Sequence, residues 1–132
     1  REAWPEAAAE MDFLIALVPY EDDTRGLIGA EVFRAMKPTA YLVNIARGGV
    51  VDEDALLETL RAGAIAGAAL DTFIEEPLPS DHPFWRMENV ILTPHLGGFN
   101  DAYVGQALPQ IETNLRAFLD GTPERMINLV ER

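Results

Sequence analysis

Three residue types in this sequence could act together on a small molecule carrying a carboxylate. Arg47 stands in "LVNIARGGVVDEDAL", Glu75 and Glu76 in "LDTFIEEP", and His95 in "LTPHLGG". A guanidinium is a planar fork that holds a carboxylate through two hydrogen bonds. It can also polarise a neighbouring carbonyl. An imidazole gives or takes one proton near neutral pH. A carboxylate beside that ring favours its charged form and fixes its tautomer. The set suits a substrate whose carboxylate adjoins a carbonyl or hydroxyl. Nothing in it supplies a nucleophile or a metal cage. The electrons of a redox step would therefore come from a cofactor.

Taken singly, each residue has a plainer reading. Arg47 fits a surface loop, His95 a structural histidine, and Asp71 a turn cap. One of Glu75 and Glu76 is a solvated loop charge. Gly48, Gly49, Gly97 and Gly98 could serve tight turns alone. The case for a site rests on where the elements put these residues.

Four short apolar runs are predicted strands: "FLIALV" (13–18), "AYLVNI" (40–45), "AGAAL" (66–70) and "NVILT" (89–93). They lack polar alternation, the pattern of strands buried on both faces. Helical patterns lie between them. "GAEVFRAMK" puts Val32, Phe33 and Met36 on one face and stops before Pro38. "DEDALLETLRAG" opens on Asp52 as N-cap, with Glu53 and Asp54 in the first turn. It turns Leu56, Leu57 and Leu60 inward and ends at Gly63. This alternation predicts an α/β fold with a parallel sheet. From Asp71 to Trp85 no helical period is seen, and a long loop is expected. A last helix is predicted over 101–119, closed by Gly121 and Pro123. Pro109 falls inside it, opposite the carbonyl of Gly105, where a kink is tolerable.

Ligands of open parallel sheets bind outside the strands' carboxyl ends. Those ends here are Pro19 and Tyr20 with Thr24; Asn44 to Gly49 with Arg47; Asp71 with Glu75 and Glu76; and Thr93, Pro94, His95, Gly97 and Gly98. Cation, carboxylates and imidazole gather on one edge.

Composition bounds the rest. The 132 residues suffice for a core, and the net charge of −12 disfavours nucleic acid and anionic membranes as partners. The absence of cysteine excludes disulfides and thiolate metal sites. The longest apolar run, Phe13–Val18, is far too short to span a bilayer. No metal and no membrane partner are expected, and the cytoplasm is the expected location. The sequence opens on Arg1, so residues upstream are expected to be missing.

At the quoted motifs the sequence resembles the D-isomer-specific 2-hydroxyacid dehydrogenases, from about Met11 to Val130. The segment from Leu42 to Trp85 and "NVILTPHLGG" carry the resemblance. So does the spacing, 29 residues from Arg47 to Glu76 and 19 from Glu76 to His95. The resemblance implies that Arg47 binds the substrate carboxylate, that His95 is the acid/base, and that Glu76 supports it. It implies that Asp71 meets the nicotinamide side. Pro19, Thr24, the backbone at Ile45 and Ala46, Gly97 and Gly98 would line the cofactor, along with Arg47 and His95. "HPFW", with Trp85, is most similar to the glyoxylate/hydroxypyruvate reductase branch. NAD or NADP is the implied cofactor, with NADPH favoured by that branch. The substrate would be a small 2-oxo or 2-hydroxy acid.

The implied fold is the nicotinamide-side half of a doubly wound Rossmann-type domain, residues 1–98. Residues 99–132 would be a helix and tail that pack on a substrate domain. The Gly-rich G-x-G-x-x-G turn is not in this sequence, and "GLIGA" lacks its spacing and preceding strand. The chain by itself is therefore expected to be inactive. Ile45 stands where the family often has a small polar residue, and Phe99 and Asn100 where a Ser/Thr often stands. With its partner strand absent, Phe13–Val18 would be an apolar edge. A homodimer or larger assembly is expected, through that strand or the helix over 101–119. A non-catalytic dehydrogenase-like scaffold that senses nucleotide or mediates assembly is the alternative. An autonomous acidic α/β module is a third reading.

Overall fold

The structure, a computed structural model, describes residues 4–129. Residues 1–3 and 130–132, which the sequence reading assigned to the two domains, lie outside the described residues. The chain divides into two compact units, Arg1–Gly97 and Gly98–Arg132.

In the first unit the elements are helix α1 (Trp4–Ala8), strand β1 (Phe13–Ala16), helix α2 (Ala30–Ala35), strand β2 (Tyr41–Asn44), helix α3 (Glu53–Arg61), and strands β3 (Gly67–Leu70) and β4 (Val90–Leu92). Short 3₁₀ turns occupy Gly48–Val50 and Pro83–Arg86. The four strands form one parallel sheet in the order β1-β2-β3-β4. In register, Leu14 pairs with Leu42, Leu42 with Ala68, and Leu70 with Leu92. Helix α3 starts as expected, with the Asp52 carboxylate accepting from the Ala55 N–H at 3.0 Å. Its exit is made by Gly63 at φ +62°, a left-handed position that glycine takes without strain.

Burial follows the strand alternation on one side only. Leu14, Ala16, Leu42, Asn44, Ala68 and Leu70 are buried. The apolar ones join Val32, Phe33, Met36, Leu56 and Leu60 in one core. The opposite face carries Phe13, Ile15, Tyr41 and Ile91, which are 62%, 52%, 45% and 68% exposed. There the Phe13 and Tyr41 rings stack with centroids 5.7 Å apart. The expectation of strands buried on both faces is thus corrected. The sequence is apolar on both sides of the pleat, but only one face is covered. The edge position of β1 agrees with the sequence reading. Helix α1 and the 3₁₀ turn at Pro83–Arg86 were not anticipated, since one or two turns are too short to display a helical period.

The second unit is helix α4 (Tyr103–Leu119), with a 3₁₀ turn at Pro123–Arg125 and a tail that returns along it. Asn114 holds the tail. Its amide donates to the Ile127 carbonyl at 3.0 Å and its side-chain oxygen accepts the Ile127 N–H at 2.8 Å. Gly121, at φ +67°, follows the helix as predicted. Leu108, Ile111, Leu115 and Phe118 are all more than half exposed. No helix among the described residues is long and apolar enough to cross a membrane.

Candidate active site

The site is built at the carboxyl ends of β2, β3 and β4. After β2, Asn44 shapes the turn. This side chain is 1% exposed. Its oxygen accepts from the Ala46 N–H at 3.1 Å, and its amide donates to the Arg47 carbonyl at 3.2 Å. Both hydrogen-bonding groups of a buried amide are thereby satisfied. Arg47 then stands exposed, its guanidinium donating to the Ala46 carbonyl at 2.6 Å. From the sequence, Asn44 stands at the strand end with no role assigned. A polar residue inside an apolar run was the signal for one.

Gly48 follows because nothing larger fits. A Cβ there would lie 2.0 Å from the Phe73 carbonyl carbon and 2.4 Å from the Ile74 nitrogen. The backbone after β2 rests directly on the backbone after β3. Gly48→Ala is expected to lower stability by about 1–3 kcal/mol or more, with loss of activity in the whole protein. Urea unfolding reads the first effect. An alanine tolerated within about 0.5 kcal/mol would contradict this packing.

After β3, Asp71 is 5% exposed and turns its carboxylate to the β4 loop. One oxygen accepts from the Thr93 hydroxyl and the Leu96 N–H, and the other accepts from the Gly97 N–H. The clasp encloses His95, whose φ of +55° is left-handed. A non-glycine residue held there costs about 1 kcal/mol or more, which the surrounding bonds must offset. His95 presents its ring to Glu76, with Nδ1 2.8 Å from Oε2. The other oxygen of Glu76 accepts the Phe73 N–H at 2.9 Å. Of the two adjacent glutamates, Glu76 carries the pair.

Both acids are held below the ordinary carboxylate range. Burial by itself pushes Asp71 up, but the bonds from Thr93, Leu96 and Gly97, with the His95 charge, outweigh it. Glu76 is lowered first by its bond to His95, then by the Phe73 N–H, with the His95 and Arg47 charges adding. Groups with depressed folded values stabilise the fold above their ordinary pKa, and that stability is lost as pH falls through the folded value. Acidification below about 4.5 for Glu76 and 3.8 for Asp71 is therefore expected to loosen the 93–97 loop. Carbon-13 carboxyl titration by NMR checks this. Either acid titrating above its ordinary value would contradict it.

Arg47, Glu76 and His95 line one cleft of about 420 Å³, together with Tyr20, Gly49 and Ile74. A more apolar cavity of about 520 Å³ shares Glu76 and His95 and adds Leu78, Trp85 and Leu92. Trp85 is anchored by its indole N–H to the Pro79 carbonyl at 2.8 Å. Other predicted residues serve differently. The Thr24 hydroxyl donates to the Pro19 carbonyl at 2.7 Å and accepts the Glu21 N–H at 2.8 Å, so it shapes the loop after β1. Pro19 and Ile45 are exposed at strand ends, Ala46 is buried, and Gly98 opens the second unit.

A parallel sheet flanked by helices, with its polar groups gathered at the strand carboxyl ends, is the Rossmann-type α/β arrangement, whose ligands bind at that edge. The chain belongs to the D-isomer-specific 2-hydroxyacid dehydrogenase family, whose NAD binding domain matches residues 1–97. It is 53% identical over 89 residues to a glyoxylate/hydroxypyruvate reductase B of Pectobacterium carotovorum subsp. carotovorum (strain PC1), a match covering 67% of this chain and 28% of that protein. It is 42% identical over 120 residues to a glyoxylate reductase of Korarchaeum cryptofilum, covering 90% of this chain and 36% of that one. A crystal structure of a D-isomer specific 2-hydroxyacid dehydrogenase from Xanthobacter autotrophicus Py2, in complex with NADPH and MES, superposes with a TM-score of 0.83 at 42% identity. That match covers 98% of this chain and 52% of the other. The chain spans only 28% to 36% of the length of these curated relatives.

Proposed function

We propose that the whole protein reduces small 2-oxo acids, of the glyoxylate or hydroxypyruvate kind, with NADPH as the favoured cofactor. The observation that carries this is the lining of one cleft by Arg47 and the Glu76–His95 pair. The names of the relatives support the substrate class, and the NADPH held by the Xanthobacter structure supports the cofactor. The residues present suit a nicotinamide. Pro19 and Ile45 offer exposed apolar surface, and the Asp71 oxygen that holds Gly97 retains one accepting position.

When bound, the cofactor supplies the hydride. Arg47 receives the substrate carboxylate on its fork and draws charge from the adjacent carbonyl. His95, with Nδ1 committed to Glu76, has Nε2 free to give a proton to the oxygen that becomes the alcohol. Glu76 stays ionised, holds the tautomer, and balances the charge on the ring. Steady-state oxidation of NADPH by the whole protein with hydroxypyruvate and glyoxylate tests the reading. Turnover near the rates of other 2-oxo acid reductases supports it, and no turnover with any 2-oxo acid refutes it.

We further propose that this chain by itself forms a homodimer or larger assembly, and that the protein is cytoplasmic. The support concerns the chain by itself, where β1 is an edge strand with Phe13 and Ile15 exposed and no charge within it. Light scattering over a dilution series should return at least twice the monomer mass. A monomer at high micromolar concentration would contradict it.

A further inference from the structure

A second histidine–glutamate pair lies behind the first. Glu53, in the first turn of α3, places one carboxylate oxygen 3.4 Å from Nε2 of His82. The two side chains are 18% and 19% exposed. The Nδ1 of His82 accepts the Phe84 N–H at 3.3 Å, which leaves the proton on Nε2, facing Glu53. The other Glu53 oxygen accepts the Ile74 N–H at 3.2 Å. Ile74 follows Phe73, whose N–H is the donor that fixes Glu76. Two neighbouring amides of one loop are therefore claimed by two glutamates, one from the site and one from the helix. Gly48 presses on the peptide between them.

We infer that Glu53 and His82 are positioning residues for the reaction centre: they hold the Phe73–Ile74 peptide from the α3 side and so fix Glu76 and, through it, His95. The inference deepens the reading of the site as a reductase centre and rests on it. The loop from Asp71 to His82 contains no helix or strand that could hold its shape. Its outward side is the wall of the site. Without an anchor on the inner side, the Phe73 N–H that holds the second Glu76 oxygen would itself be less firmly placed, and Glu76 would lean more on His95, the group it has to orient. A side chain that drifts by about 1 Å can lower turnover by up to about a hundredfold. The sequence pattern hides this brace, because Glu53 reads as an ordinary first-turn acid and His82 as a loop residue.

His82 makes two polar contacts besides its ring contact with Phe84 at 4.7 Å, and two substitutions that both lose the ring separate the polar ones. In His82→Asn the side-chain oxygen takes the place of Nδ1 and keeps the bond from Phe84, but nothing reaches Glu53. In His82→Gln the amide nitrogen takes the place of Nε2 and keeps Glu53, while the Phe84 bond is lost. Each variant is made in the whole protein and read in three ways: kcat against KM with NADPH and hydroxypyruvate, melting temperature, and amide hydrogen exchange at Ile74. The expected pattern is a kcat lowered about tenfold or more in His82→Asn, with KM little changed. His82→Gln should stay within about threefold of the parent. Exchange at Ile74 should quicken in His82→Asn alone. The reverse order, equal effects in both, or no effect in either overturns the inference. If the parent protein turns over no 2-oxo acid, the reductase reading fails by itself, and Ile74 exchange still decides whether the brace exists.

Discussion

Replacing His95 with glutamine in the whole protein is expected to lower kcat by about 10²- to 10⁴-fold, the span that general acid–base groups contribute. Glutamine can still donate a hydrogen bond to the substrate oxygen, but it cannot deliver a proton and be recharged. KM for the oxo acid should change little, because Arg47 holds the carboxylate. The geometry makes His95 the acid for a specific reason. Its Nδ1 is 2.8 Å from a carboxylate that is held ionised, and its backbone is pinned at φ +55° by the Asp71 clasp. Such a ring has one nitrogen left to act. Turnover within about threefold of the parent would show that the proton comes from elsewhere.

Removing the Arg47 fork is expected to be felt in kcat/KM. Two charge-assisted hydrogen bonds to a substrate carboxylate are worth about 3–4 kcal/mol together, which corresponds to about 10²- to 10³-fold. Arg47→Ala should show the whole loss. Arg47→Lys should recover only part of it, because an ammonium is a point charge and cannot bind both oxygens in the plane. In the free protein the guanidinium donates back to the Ala46 carbonyl, next to it in the chain. The side chain is therefore already folded toward its own strand end before substrate arrives. If alanine at this position left kcat/KM within threefold, the carboxylate would have to be held by another group.

The elements that carry these residues were legible for different reasons. Strands β1 to β4 declared themselves as apolar runs between turn residues, and α3 did so through Asp52, its leucines and Gly63. Arg47 and His95 could be placed at the sheet's carboxyl edge because each lies three residues past a strand, whereas Glu76 lies six residues past β3 and was told from Glu75 only by the family resemblance. How they are held was not. Asp71 reaches Thr93, Leu96 and Gly97 across 22 to 26 residues, and no local pattern encodes a bond of that separation. The same holds for Glu53 and Ile74, 21 residues apart. The turn at Asn44 was closer to the surface of the sequence, since a lone amide in a buried strand has to satisfy itself somewhere. Apolar character on both sides of the strands misled the burial expectation, because periodicity reports what a face is made of and not what covers it.

The most direct measurement is a crystal structure of the whole protein with NADP and a 2-hydroxy acid such as glycerate, the product pair of the proposed reduction. The carboxylate is expected in bidentate contact with Arg47, and the 2-hydroxyl about 2.6–3.2 Å from Nε2 of His95, with Glu76 still on Nδ1. A hydroxy acid bound with its carboxylate away from Arg47, or with its hydroxyl beyond the reach of His95, would contradict it.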